Sequence, residues 1–177
     1  IMELLRRLTV RGGSGRIFEY GGPGAASLSL PQRATICNMG AELTLTTSVF
    51  PSDEETRRYL ALLGREREWT PLSADPQAEY DERIELDLST LEPLVALPAS
   101  PDKVVPVREV AGTALEQVMV GSCTNSSWED MWAVGRAVRG ERPAYRPVVS
   151  RLVAGSAPCA VAAALLARVP VPPGGSP

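Results

Sequence analysis

Not one of the 177 residues is a histidine. Without an imidazole this chain builds no Ser-His-Asp or Cys-His catalytic unit, no HExxH zinc site and no imidazole acid-base pair of its own. Cysteine is scarce as well: Cys37, Cys123 and Cys159 are three, an odd number at wide spacings, and no CxxC occurs. Such a set does not make a disulfide framework and leaves free thiols or metal ligands. Aromatic residues amount to 5% and are scattered, and the net charge of -3 comes with a pI near 5.1. Neither stacking platforms nor a broad basic field are on offer, so nucleic acid is disfavoured as a partner. No apolar run approaches the length of about eighteen residues that crosses a bilayer, and IMELLRRLTV is too short and too charged for a secretory signal. No membrane association is expected, and a cytoplasmic location is the default. The first residue is Ile1 rather than Met, which fits a reading frame that starts earlier or a processed chain.

What is present suits a folded domain. The apolar fraction of 44% is that of a globular protein, and the length allows one ordinary domain with a hydrophobic core. Met2, Leu4, Leu5 and Leu8 share roughly one helical face, and RGGSG ends that element. GRIFEY, residues 15 to 20, has strand character. The following GGPG matches neither the dinucleotide fingerprint nor the phosphate loop, so a glycine-requiring turn is expected there rather than an anion nest. Ser52 with Glu55 reads as a capping box opening a helix over 53 to 63, with Tyr59, Leu60, Leu62 and Leu63 as its apolar side and Gly64 as its stop.

From Trp69 to Asp81 the chain reads as an ordered surface loop. RIELDL alternates Ile84, Leu86 and Leu88 with Arg83, Glu85 and Asp87, the pattern of a half-buried strand. The proline-rich LEPLVALPASPDKVVP must run extended or in turns. Val118 to Val120 then form a short apolar strand ending at Gly121. Ser126 with Glu129 reads as a second capping box, and Trp128, Met131, Trp132 and Val138 recur near helical spacing. Strand, tight loop and helix in succession favour an α/β architecture.

Beyond Gly140 the composition changes. Residues 141–177 hold four arginines, one acidic residue and seven prolines, whereas the first 140 hold 14 basic and 20 acidic residues. The expected division is therefore 1–140 as the α/β domain and 141–177 as a divergent Arg/Ala/Pro-rich tail. That tail is either natural or the product of a shifted reading frame in GC-rich codons. Within it, CAVAAALLARV has the composition of a helix of about three turns, and VPPGGSP that of a flexible end.

Cys123 is the leading candidate for chemistry. It lies in a Gly-Ser-Cys-Thr-Asn loop between a strand end and a helix start, where backbone donors and the helix dipole favour a thiolate. Nucleophile, metal ligand and inert buried thiol all suit that setting, although a nucleophile lacks a histidine base. Cys37 is expected to be a small buried thiol. Trp128 and Trp132 are expected to pack the helix rather than form a ligand platform. Glu42, Glu129 and Asp130 are possible carboxylates near the site, for which cap and solvent-face roles suffice.

GSCTNSSWEDM at 121 to 131 resembles the first iron-sulfur signature of the aconitase superfamily. ATICNMGAE at 34 to 42, followed by TTSVFPSDEETRRYL, resembles the segment that precedes that signature. GRIFEYGGPGAASLSLPQRA, SADPQAEYDERIELDLS and PDKVVPVREVAG read like further parts of the same family in the expected order. The resemblance covers residues 1 to about 140. It implies an incomplete, layered aconitase-like α/β domain and makes Cys123 a ligand of a [4Fe-4S] cluster, with Thr124 and Asn125 hydrogen-bonding to shape the loop and orient that thiolate. Soft thiolates hold iron, and an iron without a protein sulfur is open to act as a Lewis acid on oxygen.

The implied reaction is dehydration and rehydration of a small hydroxy di- or tricarboxylate. The family's other two ligands form a CxxC pair, which this chain lacks; Cys159, 36 residues after Cys123 in SAPCAV, does not match it. The expectation is accordingly a partial hydro-lyase, inactive alone, completed by a missing domain or partner subunit. Two rivals are a diverged subunit in which the three cysteines converge on a cluster, and a metal-free interaction or structural protein derived from the fold.

Overall fold

In the computed structural model the described residues are 1–114, 118–120, 124, 127–137, 139 and 163–165. The chain divides into two compact units, Ile1–Glu109 and Val110–Pro177. Helices and small sheets alternate, so the class is mixed α/β. Among the described residues, no helix is long and apolar enough to cross a membrane.

The first unit opens with α1 (Met2–Leu8), whose Leu4 and Leu5 are buried as the apolar spacing requires. Glu3, in its first turn, is also buried, because its carboxylate takes Arg6 Nε and Nη2 at 2.8 and 3.0 Å and Arg7 Nε at 2.7 Å. Leu4 and Leu5 meet Leu43 and Val104 to form the core, with Met39, Ile84 and Leu94 packed against it. Strand β1 (Ile17–Glu19) pairs with β2 (Thr47–Val49) in parallel, Phe18 opposite Ser48. A parallel pair needs a crossover, and here it is helical: α2 (Gly22–Ala26), α3 (Leu30–Met39) and a 3-10 turn at Gly40–Leu43.

GGPG is thus the start of a short helix rather than a simple turn. Gly22 takes φ +85°, a left-handed value that glycine tolerates, and Pro23 then presets the first helical turn. Helix α3 carries no periodic apolar stripe but is opened by a full capping box. Ser29 N donates to Gln32 Oε1 at 2.9 Å, and Gln32 N to Ser29 Oγ at 3.5 Å. At its end Gly40 is buried, and a Cβ there would lie 2.6 Å from Ser48 Oγ, so the helix can sit this close to β2 only with glycine.

Helix α4 (Glu54–Leu62) begins one residue later than its expected cap. Asp53 is the N-cap, its Oδ1 accepting from Glu55 N and Thr56 N at 3.1 and 3.3 Å, while Ser52 Oγ donates to Thr70 O. The carboxylate wins that position because it also binds Arg33. Gly64, at φ +71°, follows the helix as expected, but Leu62 and Leu63 are exposed rather than packed.

Burial alternates over residues 83–87, with Ile84 and Leu86 half-buried, but Leu88, expected on the same side, is exposed at the start of a 3-10 turn, and the segment forms no ladder. The alternation reports which side faces the core and says nothing about whether a partner strand exists. The proline-rich stretch closes an antiparallel pair instead, β3 (Leu94–Ala96) with β4 (Val104–Pro106).

The second unit contains β5 (Val118–Val120), paired antiparallel with β6 (Ala163–Leu165), and α5 (Trp128–Ala137). Residues 163–165 are therefore strand, where CAVAAALLARV reads as helix; the rest of that run lies outside the described residues. The cap of α5 also shifts by one. Ser127 and Asp130 bond reciprocally, Ser127 N to Asp130 Oδ2 at 3.0 Å and Asp130 N to Ser127 Oγ at 3.1 Å.

Arg33, only 2% exposed, is the most deeply buried charge among the described residues. Its hydrogen bonds to Asp53 hold that carboxyl below the ordinary aspartate range, burial opposing them and the Thr56 amide assisting. Asp53→Ala strips the buried guanidinium of its counterion and α4 of its cap, and should cost about 3–5 kcal/mol in urea unfolding. Because the folded value is depressed, the pair's contribution is complete above the unfolded aspartate value. It is lost as the pH falls through the folded one. Acid titration of stability should accordingly show a loss below about pH 4 that is diminished in Asp53→Asn.

Candidate functional site

Of the residues that the resemblance marks, Thr124 lies in a turn ahead of α5, whereas Cys123 and Asn125 lie outside the described residues, as does Cys159. The strand and helix that flank the Cys123 loop are both present as β5 and α5. Asp130 is engaged as the cap of α5, and Glu129 is exposed on the same helix. Trp128 and Trp132 do not pack inward: they are 83% and 60% exposed and stack on each other at a centroid separation of 6.4 Å. A helical recurrence of large apolar residues locates a face, but not what lies against it.

Cys37 is half-buried on α3, and its Sγ points to Ser48 O at 3.9 Å. Burial pushes this thiol above its ordinary pKa, so at neutral pH it is a protonated sulfur, the reverse of what a metal ligand or nucleophile needs. Around it Tyr20 stacks on Phe50 at 4.6 Å with the rings 12° apart, and Phe18 meets Tyr20 edge-on at 6.4 Å. Burial likewise raises the Tyr20 phenol, which lies beside the Ser48 hydroxyl. Both hydroxyl oxygens are shielded from solvent, and neither has a hydrogen-bond partner among the described residues. Among those residues no group of three Cys, Asp or Glu side chains could hold a metal ion.

Sequence reasoning missed the arrangement that holds this region. The guanidinium of Arg33 uses every one of its N-H donors. Nη1 and Nη2 grip Asp53 Oδ1 and Oδ2 at 2.9 and 2.8 Å. The rest reach Leu28 O at 3.1 Å, Pro51 O at 3.3 Å and Ala26 O at 3.5 Å. Its Cζ sits 5.7 Å from the centre of the Phe50 ring. A lone arginine inside ATICNMGAE's helix carries no sequence signal of burial; the available clue was the Ser29-Pro31-Gln32 helix start, which places Arg33 in the first turn.

One small groove runs along α1, lined by Glu3, Arg6, Arg7, Thr90, Leu91 and Glu92 among others. It presents no free pair of cations for a carboxylate substrate, since Arg6 and Arg7 are both bound by Glu3. Glu92 is likewise taken by Arg108.

The chain belongs to the aconitase family: the profile of that family (aconitate hydratase) matches residues 1–114. It is 42% identical over 151 residues to a 3-isopropylmalate dehydratase large subunit 2 of Rubrobacter xylanophilus, covering 84% of this chain and 35% of that protein. Against the mitochondrial homocitrate dehydratase of Saccharomyces cerevisiae it is 43% identical over 149 residues, 74% of this chain and 19% of that one. The mitochondrial aconitate hydratase of the same yeast is 43% identical over 147 residues, with the same two coverages of 74% and 19%. The chain thus spans about a third of the length of the first relative and about a fifth of the other two.

The state of Cys37 can be checked directly. With Cys123 and Cys159 changed to serine, alkylation of the remaining thiol by iodoacetamide should be slower at pH 7 than that of an unfolded control. Its rate should rise with a midpoint above the ordinary thiol value. Rapid reaction at neutral pH would contradict the burial argument.

Proposed function

We propose that this chain contributes the first cluster-binding loop of an aconitase-type hydro-lyase, with Cys123 as one thiolate ligand of a [4Fe-4S] cluster. Sequence beyond these residues, in the same polypeptide or a partner subunit, supplies the other two thiolates. The observation that carries this reading is the relationship itself. Relatives named for dehydration or hydration of isopropylmalate, homocitrate and aconitate align over about 150 residues, a span longer than the 1–114 matched by the family profile.

The donor chemistry supports a single contributed ligand. Three cysteines without a CxxC cannot reproduce the family's ligand set, and the described thiol, Cys37, is held protonated against a backbone carbonyl. Cys123 stands instead between β5 and α5, where the start of a helix favours sulfur as thiolate. Thr124 and Asn125 would hold that loop in shape. When bound, the cluster would supply a Lewis-acidic iron to a hydroxyl oxygen. Without the CxxC pair, the chain alone is expected to be inactive. The substrate class is a small hydroxy di- or tricarboxylate.

The test is to co-produce the chain with a family segment that carries the CxxC pair, reconstitute anaerobically, and read iron content and visible cluster absorbance. Cys123→Ser should lower both by at least about tenfold, the scale on which even outer-shell losses act at metal sites, while Cys37→Ser should leave them unchanged. Equal iron in the Cys123→Ser variant would sink the assignment.

A further inference from the structure

Two non-glycine residues among those described take positive φ, Thr9 and Thr44, both at 62°. The two are not equivalent. Thr44, with ψ 31°, sits in the ordinary left-handed well, whereas Thr9, with ψ 178°, occupies a region that is essentially glycine's alone. A β-branched side chain is poorly suited to it. The Thr9 side chain is exposed, so burial does not account for the residue, and a glycine would make the same turn without strain.

The next residue shows what holds Thr9 there. Val10 N donates to Asp102 Oδ2 at 3.1 Å, across 92 residues of sequence, and the Thr44 hydroxyl donates to Val10 O. Asp102 is itself fixed: it accepts from the Ser100 hydroxyl in the turn between β3 and β4, which Lys103 N closes on Ser100 O at 3.1 Å. On the helix side, Thr9 N bonds Leu5 O at 2.9 Å. Downstream there is no slack either, since Gly13 N donates to Leu43 O at 2.9 Å and a Cβ on Gly13 would lie 2.8 Å from that oxygen. Val10 is thus gripped at both its amide and its carbonyl, by groups from two other parts of the first unit.

We infer that the Thr9–Val10 connection is a sprung latch: strain at Thr9 favours release of α1, the Asp102 and Thr44 contacts to Val10 hold it docked, and the 100–103 turn thereby governs whether α1 stays on the core. The balance is between two states. Strain raises the free energy of the docked form, so every route that frees Thr9 is favoured, and the contacts to Val10 outweigh it. Helix α1 supplies Leu4 and Leu5, and its departure uncovers their core partners Leu43 and Val104. The device couples the β3–β4 hairpin to α1 through a hydrogen bond as well as through packing, and it does not rest on the cluster reading.

The experiment is native-state hydrogen exchange on the full chain at neutral pH in low urea, read by mass spectrometry for peptides covering α1 and α3. In the parent chain α1 should exchange through an opening with a weaker urea dependence than that of α3, the mark of a segment that leaves while the rest stays folded. Asp102→Ala should speed α1 exchange about fivefold or more, through loss of a hydrogen bond to a charged acceptor. Asp102→Asn, which keeps a side-chain carbonyl as acceptor, should restore most of the difference. Thr9→Gly should slow α1 exchange about threefold or more, because the relief of strain exceeds the extra freedom that glycine gains in the open form. Combining Thr9→Gly with Asp102→Ala should return the rate toward that of the parent.

Exchange of α1 and α3 on a single urea isotherm in the parent chain would overturn the latch, since α1 would then leave only with global unfolding. An α1 rate unchanged or raised by Thr9→Gly would overturn it as well, by showing that no strain is released there. Acceleration confined to residues 100–106 in Asp102→Ala would make Asp102 a local turn residue and remove the coupling. Should Asp102→Ala fail to fold, Thr9→Gly decides alone, because it removes strain and leaves both contacts to Val10 in place.

Discussion

The first unit hangs on a single buried cation. Taking a guanidinium out of water carries a large desolvation cost, and a structure tolerates it only when the charge is paired and every donor is met. Arg33 satisfies both conditions. Asp53 grips it in two-point fashion, three backbone carbonyls take its remaining hydrogens, and Phe50 lies near its flat face. Each partner comes from a different place: Ala26 at the end of α2, Leu28 ahead of α3, Pro51 after β2, and Asp53 at the cap of α4. One side chain therefore fixes the relative position of four segments.

That polar hub matters because the hydrophobic core is thin. The aliphatic cluster of the first unit consists of Leu4, Leu5, Leu43 and Val104 with half-buried neighbours, while Ile17, Leu62, Leu63 and Leu72 are 54% or more exposed. Parallel strands in particular are ordinarily covered on both faces, yet β1 and β2 stand as a two-stranded sheet with Ile17 63% exposed. Exposed aliphatics and an under-covered parallel pair leave apolar surface that the first unit does not itself bury. The polar network holds local geometry, and more apolar burial is needed to make that geometry strongly stable.

Local signals were legible wherever they depend only on neighbouring residues. Helix α1, strand β1, the stop at Gly64 and the strand-loop-helix order around Cys123 all follow from spacing and capping chemistry. Two caps, at Asp53 and Ser127, fell one residue beyond the expected Ser52 and Ser126. In each case several cap-competent side chains stand in a row: a distant partner, Arg33, decides for Asp53, whereas at Ser127 the same three-residue box forms with Asp130 instead of Glu129. Helix α3 escaped notice because its apolar residues do not gather on one face; its capping box was the readable clue. RIELDL shows the converse, burial alternation met at Ile84 and Leu86 but not at Leu88, and no ladder, because pairing depends on a partner that periodicity does not encode. The burial of Arg33 was invisible for the same reason: its partners lie as many as 20 residues away.

The contrast between cysteines shows how environment, more than residue type, assigns chemistry. A sulfur becomes a useful ligand or nucleophile only as thiolate, so whatever surrounds it must favour negative charge. Around Cys37 lie a backbone carbonyl, aromatic rings and a phenol, none of them cationic, and the thiol keeps its proton. Arg33 sits on the same helix but has already given every N-H to other oxygens, so it offers Cys37 no hydrogen bond. With histidine absent from the chain, no other neutral-pH base exists to remove that proton. Electrostatic help for a thiolate must therefore come from backbone dipoles, and the start of a helix is where a chain concentrates them. Cys37, on the third turn of α3, is away from any helix start and lacks that help. The absence of histidine and the polar saturation of Arg33 together leave Cys37 a protonated thiol, a packing residue of α3 rather than a ligand.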